Sequence, residues 1–415
     1  MSENNQISFQ RLVGVSLGVK FLNDVANQMA YPFMPILAQG LGVNLVVMGQ
    51  LVSLRSAMGL LTPIFGSLAD QHGDRRILRV CQLLAVVGLL VTGLSTNVWM
   101  AAIGLVITGV GIHAFVPIIQ TYVSARLPYA RRAQGMGIVE YSWALAGIIG
   151  LYLVGLLMDA TSWRAPFFVL AVGIFVSWIV MGTMPEAVSN SSQAERKHPL
   201  SKSSFSLSTI IKSTRSFFDL GANARSTYGF IAAQTLVFIG GFTIMFTYGA
   251  WFQDEFALTA SQLGVMALLF GIFDLVGSIA VSLYTDKIGK RNSVMIGSVI
   301  ALIGYLITPF AGNTLFAIAA CLLFARAGFE FAVVAGFALL SEQVPEKRGK
   351  VMSLGSASVL AGSALTSTMA PWIYVNLGTT LLCLSCVVWS GLSLILLLTI
   401  VQEAPETEDN KAIHG

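Results

Sequence analysis

The chain has 415 residues, of which 55% are hydrophobic and only 11% are charged, and its formal net charge is +4. Soluble domains carry roughly 25% charged residues, so this composition excludes an ordinary soluble protein. The mean hydropathy of +0.76 favours a chain that is largely buried in a membrane.

Twelve apolar segments follow one another along the chain, and each is long enough to cross a bilayer as a helix of about 20 residues. They cover residues 12–37, 48–69, 77–96, 98–125, 133–158, 164–184, 226–253, 262–284, 292–311, 314–341, 350–375 and 378–402. The one long connection, between the sixth and seventh segments, is polar and rich in serine and basic side chains. The sequence therefore predicts an all-α membrane protein. Its predicted parts are a six-helix bundle at 1–184, a cytoplasmic linker at 185–225, and a second six-helix bundle with a short cytoplasmic tail at 226–415.

Basic side chains are distributed unevenly among the loops. Of the 24 lysines and arginines, three lie inside apolar segments and Arg164 lies in an odd-numbered loop, whereas the other 20 occupy the termini and the even-numbered loops. Cytoplasmic loops of membrane proteins carry such an excess. We therefore predict a multi-pass protein of the cytoplasmic membrane with both termini in the cytoplasm. The first helix is expected to remain as an anchor, because no signal-peptide cleavage motif follows it.

Two loops contain related sequences at a constant separation. GSLADQHGDRR occupies 66–76 and SLYTDKIGKR occupies 282–291, so Asp70 and Asp286 hold the same place in the two loops. Further along the chain, LPYAR at 127–131 returns as VPEKR at 344–348, with nearly the same separation as that between Asp70 and Asp286. Two landmarks that recur at nearly the same offset indicate two copies of one structural unit.

The first of these loops resembles the G-x-L-A-D-x-x-G-x-R-R loop of the major facilitator superfamily, and the hydropathy pattern extends this resemblance over nearly the whole chain. The resemblance implies twelve transmembrane helices in two pseudo-symmetric six-helix bundles around a central pathway. The WRAPF run at 163–167 is similar to bacterial drug–proton antiporter-like efflux proteins. This likeness implies a secondary active transporter that exports a small organic solute by alternating access, coupled to protons. The AGIIG run at 146–150 lacks the proline of the antiporter G-P-x-x-G pattern.

The repeated loop is predicted to act as a gate. Asp70 ends an apolar helix, where the helix dipole disfavours an anion, so its carboxylate needs a cation or N–H partner. We expect that partner in the other half of the chain when the cytoplasmic side is closed. Gly73 suits the left-handed residue that ends a helix, and Arg75 and Arg76 are placed to contact anionic lipid headgroups. The alternative is a topology signal with an ordinary cap. The candidate gating residues are Gly66, Asp70, Gly73, Arg75, Arg76, Asp286, Gly289 and Arg291.

Polar side chains at membrane depth are costly, so they mark candidate pathway residues. The first segment carries five of them on one helical face, and the others lie in five further segments. The full set is Lys20, Asp24, Asn27, Gln28, Tyr31, Arg55, His113, Glu140, Asp274, Arg326 and Glu330. Each also has a structural interpretation. Lys20 with Asp24, and Arg326 with Glu330, are spaced to form internal ion pairs; Arg55 could reach the membrane surface; His113 could be a hydrogen-bonded core residue.

Glu140 and Asp274 have no cationic partner on their own helices. A buried carboxylate without a cation readily binds a proton, so these two are the predicted proton carriers unless a cation such as Arg55 reaches them from another helix. Asp24 stays a candidate because its ion pair could break and re-form. No cofactor is expected, and the proton gradient is the expected energy source.

The remaining expectations concern partners and alternatives. The expected partners are a small-molecule substrate and the lipid bilayer, without nucleic acid, and the expected state is a monomer. The four cysteines lie in apolar segments, and the CxxC pair, Cys383 and Cys386, lacks basic neighbours, so no metal or redox site is expected. A Walker loop, a haem ligand set and a metalloprotease motif are missing, so an enzyme is not expected. Alternatives are a nutrient or metabolite importer, acting as symporter or facilitator, and a non-transporting receptor or scaffold on the same fold.

Overall fold

The computed structural model describes residues 8–185, 220–221, 223–312 and 314–402. All regular secondary structure in these ranges is helical. The main helices are α1 (Phe9–Gln28), α2 (Met34–Leu41), α3 (Leu45–Ala57), α4 (Thr62–His72), α5 (Asp74–Gly93), α6 (Val98–Arg126), α7 (Tyr129–Leu145), α8 (Leu151–Ala160), α9 (Ala165–Gly182), α10 (Ala224–Phe256), α11 (Ala260–Ile288), α12 (Lys290–Ile307), α13 (Leu315–Glu342) and α14 (Arg348–Thr399). Most of the predicted linker and the predicted tail lie outside the described residues.

Among the described residues, ten helical stretches are long and apolar enough to cross a membrane. One of them, α14, contains two predicted segments, because Gly378 interrupts it with a φ of 80°. The first predicted segment is divided into α1 and α2 by a turn at 29–33, and its polar face lowers its hydropathy. The twelve predicted segments therefore all correspond to helices, with ends that shift by a few residues.

A π-helical turn lies between α7 and α8, over Ala146–Gly150. Such a turn accommodates one residue more than an α-helical turn, and single π turns are frequent at functional sites. The run is the AGIIG sequence, and Gly147 in it faces α11. A Cβ atom on Gly147 would lie 3.7 Å from the Cα atom of Gly271 in α11.

The sequence repeat is also present in the backbone. Gly73 precedes α5 with a φ of 94° and a ψ of 136°, and Gly289 precedes α12 with a φ of 91° and a ψ of 146°. The positive φ expected at Gly73 is confirmed. Its ψ lies beyond the left-handed helical region, in a conformation that only glycine adopts readily.

The helix pairs that follow these two glycines pack in the same way. A Cβ atom on Gly111 would lie 2.6 Å from the backbone N of Ala85, so α5 and α6 are in backbone contact. Gly328, the repeat counterpart of Gly111, would place its Cβ atom 2.6 Å from the backbone N of Ala301, where α12 meets α13. Small residues allow this close approach of membrane helices.

The chain forms two compact units, each with more contacts within itself than to the other. Unit 1 comprises 1–191, 242–275 and 363–382, and unit 2 comprises 192–241, 276–362 and 383–415. The division cuts through α10, α11 and α14, because one part of each packs with α1–α9. The predicted halves, 1–184 and 226–415, rest on the sequence repeat and stay a prediction.

Candidate functional site

A buried ion-pair cluster joins α1 to α7 in unit 1. Lys20 and Asp24 lie one turn apart on α1 and are only 2% and 1% exposed. The Nζ atom of Lys20 lies 3.0 Å from Oδ2 of Asp24 and 3.2 Å from Oε2 of Glu140 on α7. The Ser142 hydroxyl accepts a hydrogen bond from Lys20 at 3.0 Å and donates one to Asp24 at 2.6 Å. We name Lys20, Asp24, Glu140 and Ser142 the lysine cluster.

Glu140 forms the accessible edge of the lysine cluster. Its side chain is 45% exposed, and its Oε1 atom accepts a hydrogen bond of 2.7 Å from Nε2 of Gln120 on α6. Glu140 has no cation on its own helix, as the sequence showed, but Lys20 reaches it from another helix, so the condition under which Glu140 was predicted to be the proton carrier is not met. One ammonium group is shared by two carboxylates, so the ionised cluster has an excess of one negative charge.

Arg55 on α3 is buried and 2% exposed, so the alternative in which its side chain reaches the membrane surface is not observed. Its Nη2 atom donates to the backbone oxygen of Asn27 at 2.8 Å and to Oδ1 of Asn27 at 3.1 Å. Its Nη1 atom donates to the backbone oxygen of Ala26 at 3.4 Å. These carbonyls belong to the last turn of α1, where backbone oxygens lack helical partners and the helix dipole is negative. Arg55 therefore caps α1, and the cation beside Glu140 is Lys20.

His113 lies on α6, one helical turn before Pro117. Proline cannot donate a hydrogen bond, so the carbonyl of His113 has no helical partner. The hydroxyl of Thr62 donates to this carbonyl at 3.4 Å. The ring Nε2 atom of His113 is buried, and no hydrogen-bond partner for it is found in the described residues. The expected hydrogen-bonded core histidine is thus not observed at this nitrogen.

The rest of the polar face of α1 also contacts protein in unit 1. Gln28 donates from Nε2 to the backbone oxygen of Trp143 at 3.0 Å. The ring of Tyr31 packs edge-on against Phe242 and Phe246 of α10, with centroid distances of 5.9 and 5.2 Å. The predicted face therefore extends from the lysine cluster along α1 to an aromatic contact at Tyr31, in the turn that follows the helix.

The candidate residues of the second half lie on two helices. Asp274 is half-buried on α11 in unit 1. In unit 2, the guanidinium carbon of Arg326 lies 4.7 Å from the ring centroid of Phe329, and Oε1 of Glu330 accepts a hydrogen bond of 3.1 Å from Ser278. Glu330 follows His113 at the same separation as VPEKR follows LPYAR, so the two positions are equivalent in the repeat.

The predicted gating loop has a structural part and an exposed part. Arg75 donates from Nη1 to the backbone oxygens of Gly182 and Met184, at the end of α9. The repeat-equivalent Arg291 donates to the backbone oxygen of Leu397 at 2.8 Å, at the end of α14. Both guanidinium groups thus cap helices, and the contact with lipid headgroups expected for Arg75 stays a prediction.

The other gating residues are more accessible. Asp70, Arg76 and Asp286 are exposed, and a Cβ atom on Gly66 would have nothing within 4 Å. Within the described part of unit 1, no hydrogen bond or ion pair to the Asp70 carboxylate is found. The partner expected for Asp70 in another conformation stays a prediction.

Each copy of the loop contributes one residue to an ion pair with the helix that faces it, and the acidic and basic positions are exchanged between the two copies. In the first copy Oδ2 of Asp74 lies 3.9 Å from Nη1 of Arg126. In the second copy Lys290 pairs with Glu342, and each residue follows its counterpart at the same separation as Asp286 follows Asp70. Sequence reasoning missed this exchange of charges, because it compared the loops and not the helices that face them.

Away from the repeated loop, at the other end of unit 1, three glycines are in close contact with the backbone of neighbouring segments. A Cβ atom on Gly49 of α3 would lie 2.2 Å from the backbone oxygen of Ser367 in α14. On Gly249 of α10 it would lie 2.0 Å from the oxygen of Pro32, and on Gly155 of α8 it would lie 2.4 Å from the oxygen of Ala260. These distances leave no room for any side chain. We name these three contacts the glycine seal.

A carboxylate reinforces the glycine seal at its edge. The Oδ1 and Oδ2 atoms of Asp159, at the end of α8, accept hydrogen bonds from the backbone N–H groups of Ala260 and Ser261 at 3.0 and 2.8 Å. These are the first N–H groups of α11, which lack helical partners and carry the positive end of the dipole. Asp159 therefore binds α8 to the start of α11.

The Major Facilitator Superfamily model matches residues 17–238 and 230–415. The chain is 26% identical over 351 residues to the uncharacterized MFS-type transporter YceJ of Bacillus subtilis (strain 168), covering 83% of this chain and 84% of that protein. It is 24% identical over 180 residues to the multidrug resistance protein MdtG of Salmonella typhi, covering 42% of this chain and 44% of that protein.

Two solved structures show the same fold. A D-xylose-proton symporter matches with a TM-score of 0.75 and 15% identity, covering 96% of this chain and 99% of that chain. A POT family transporter in complex with 5-aminolevulinic acid matches with a TM-score of 0.74 and 14% identity, covering 95% and 96%. The predicted fold of two pseudo-symmetric six-helix bundles is confirmed.

Proposed function

Because the chain belongs to the major facilitator superfamily of membrane transporters, we propose that it exports a small organic solute by alternating access, driven by the proton gradient. The observation that carries the proposal is the lysine cluster, in which Lys20 is shared by buried Asp24 and accessible Glu140. Export is supported by the similarity to MdtG, which is named as a multidrug resistance protein.

The charge balance of the lysine cluster supports an exchange mechanism. With both carboxylates ionised the cluster has one uncompensated negative charge, which either a proton or a cationic group of a solute can neutralise. Accommodating both would leave a surplus positive charge in a buried site, which is unfavourable in a low-dielectric environment. A carrier that holds the proton or the solute, but not both, exchanges one for the other. The substrate class that fits is a cationic or zwitterionic organic molecule.

We expect Glu140→Gln to lose both the response of transport to a pH gradient and most of the solute exchange at equal pH, because the neutral amide can neither bind and release a proton nor supply the uncompensated negative charge that a cationic solute neutralises. The measurement is solute flux in proteoliposomes with an imposed pH gradient. Asp24→Asn, Asp274→Asn and Glu330→Gln are tested singly beside it. Glu346→Gln, at an exposed carboxylate before α14, is the matched control.

If all four neutral variants respond to the gradient like the parent, proton coupling at these carboxylates is wrong. A facilitator or a sodium-coupled carrier then becomes the better account. The same assay addresses direction, since a gradient that is acidic outside drives export in an exchanger and uptake in a symporter. Uptake would support the importer alternative, which the fold shared with the D-xylose-proton symporter favours. Absence of any flux over a compound panel would favour a receptor or scaffold.

For orientation, we propose that both termini lie in the cytoplasm and that the protein is a monomer of the cytoplasmic membrane. Reporters fused after Arg79, at Ser203 and at the C-terminus are expected to report cytoplasm, because the basic loops lie on that side. Fusions near Asn44 and Ala311 are expected to report the exterior. An exterior signal at Ser203 would contradict two bundles of six helices joined by a cytoplasmic linker.

A further inference from the structure

A groove runs along the surface of unit 1 where α3 meets α14, beside the glycine seal. It has a volume of about 530 Å³, and its lining includes Gln50 and Ser53 of α3 and Ala364, Leu365, Thr368 and Trp372 of α14. The same two helices are in backbone contact next to the groove, at Gly49 and Ser367. Among the lining residues, the Ser53 hydroxyl donates a hydrogen bond to the backbone oxygen of Ala364 at 2.6 Å and so joins α3 to α14. The groove therefore exists only while α3 and α14 are in contact.

The groove lies on a face that a bilayer covers. Leu365 is 67% exposed and Trp372 is 49% exposed, and both lie on a helix that is apolar enough to cross a membrane. A tryptophan near a helix end is typical of the membrane interface. What meets this face in the membrane is therefore a lipid acyl chain.

Two polar side chains interrupt the apolar lining. Gln50 is exposed and Thr368 is half-buried, and neither side chain has a hydrogen-bond partner among the described residues. Polar groups facing hydrocarbon are unfavourable unless they are paired, so such residues mark interaction sites. A few polar groups in an otherwise apolar concavity are typical of a binding site for an amphiphile.

The depth of Gln50 indicates which part of a lipid it meets. The membrane span Leu45–His72 has 28 residues, or about 42 Å of helix, and so extends about 6 Å beyond each side of a hydrocarbon layer of about 30 Å. Gln50 follows the start of α3 by about 7.5 Å along the helix. It therefore lies near the boundary of the hydrocarbon, where the ester groups of a phospholipid are found.

We propose that this groove binds a phospholipid from the surrounding leaflet, with one acyl chain between α3 and α14 and an ester carbonyl that accepts hydrogen bonds from Gln50 and Thr368. Because the groove requires contact of the two helices, the bound lipid stabilises the arrangement in which the glycine seal is formed. This site is separate from the lysine cluster and does not depend on the solute or on the coupling ion.

The test uses the full chain in nanodiscs that contain a phosphatidylglycerol with a photoactivatable diazirine in one acyl chain. After irradiation, mass spectrometry is expected to find cross-links concentrated in 46–53 and 364–372. Gln50→Leu combined with Thr368→Val is expected to reduce them at least threefold. Leu365→Trp, which fills the groove, is expected to do the same. Leu398→Trp is the matched control, because Leu398 is 63% exposed on the same helical run but outside the groove.

Cross-links spread evenly over the lipid-facing helices and unchanged in the variants would overturn the proposal. It would also be overturned if a transported solute displaced the cross-links competitively, because the groove would then be a solute portal. The Gln50 and Thr368 substitutions remove hydrogen bonds with little change of volume, so they remain informative if the larger tryptophan impairs folding. The thermal stability of each variant is measured in parallel.

Discussion

Replacing Lys20 by methionine is expected to abolish gradient-driven transport and to lower the stability of the purified chain. Lys20 is the ammonium group that compensates both Asp24 and Glu140. Removing one partner of a buried ion pair costs about 3–5 kcal/mol, because the remaining charge is left uncompensated. Asp24, which is almost fully buried, then has to bind a proton or lose its position beside Ser142. The measurements are flux in proteoliposomes and the thermal midpoint in detergent.

The double variant Lys20→Met/Asp24→Asn separates stability from function. Exchanging both members of a buried pair for neutral residues is often nearly neutral for stability, so the thermal midpoint is expected to recover in large part. Flux is expected to stay at background, since Glu140 lacks its cation in both variants. Normal gradient-driven flux in the double variant would show that the lysine cluster is a structural element. The proton pathway would then have to be sought elsewhere.

Substituting valine for Gly249 is expected to cause the second large effect, a failure of the glycine seal to form. The added Cβ atom would lie 2.0 Å from the backbone oxygen of Pro32, and backbone cannot move aside as a flexible side chain can. A transporter that cannot reach this arrangement cannot complete its cycle, so flux is expected to fall to background. The seal can be probed with a cysteine at Trp143 in a background without native cysteines. This cysteine is expected to react faster in the Gly249→Val variant than in the protein with Gly249, when an impermeant maleimide is added on the side of the membrane where the glycine seal lies.

Gly391→Val serves as the matched control for Gly249→Val. Both glycines lie inside helices, so the unfavourable helix propensity of valine is similar, but a Cβ atom on Gly391 would meet nothing within 4 Å. The control is expected to transport and to label like the parent. Unchanged flux and labelling in Gly249→Val would mean that the contact with Pro32 has no part in the cycle.

The sequence predicts those features of the site that depend on local spacing. Lys20 and Asp24 are one helical turn apart in the sequence, so a helix brings them together wherever it lies. The connection from Lys20 to Glu140 depends on how α1 packs against α7, and no spacing within either helix encodes it. Arg55 illustrates the same limit, because two of its three hydrogen-bond acceptors are backbone oxygens of another helix, which leave no trace in residue types. Ser142 and Gln120 were missed because uncharged polar residues are common in membrane helices.

The fold was more accessible to sequence reasoning than the site was. Hydropathy locates the helices because a bilayer imposes their length and apolar character. The constant offset predicts equivalence of the two loops, and Gly73 and Gly289 share their backbone conformation. The offset does not predict that Arg75 and Arg291 cap helix ends, since a cationic loop residue suits both a lipid headgroup and a carbonyl.

The π turn at Ala146–Gly150 sets the rotational phase between the two ends of its helix. One extra residue turns everything beyond it by about 100° relative to an uninterrupted α-helix. Glu140 lies before the turn and Asp159 lies after it, so the two carboxylates face Lys20 and the start of α11 together only because of that offset. If the turn moved along the helix past Glu140, that carboxylate would rotate by about 100° while Asp159 stayed in place. The AGIIG run thus fixes, on a single helix, the orientation of the carboxylate in the lysine cluster relative to the carboxylate at the glycine seal.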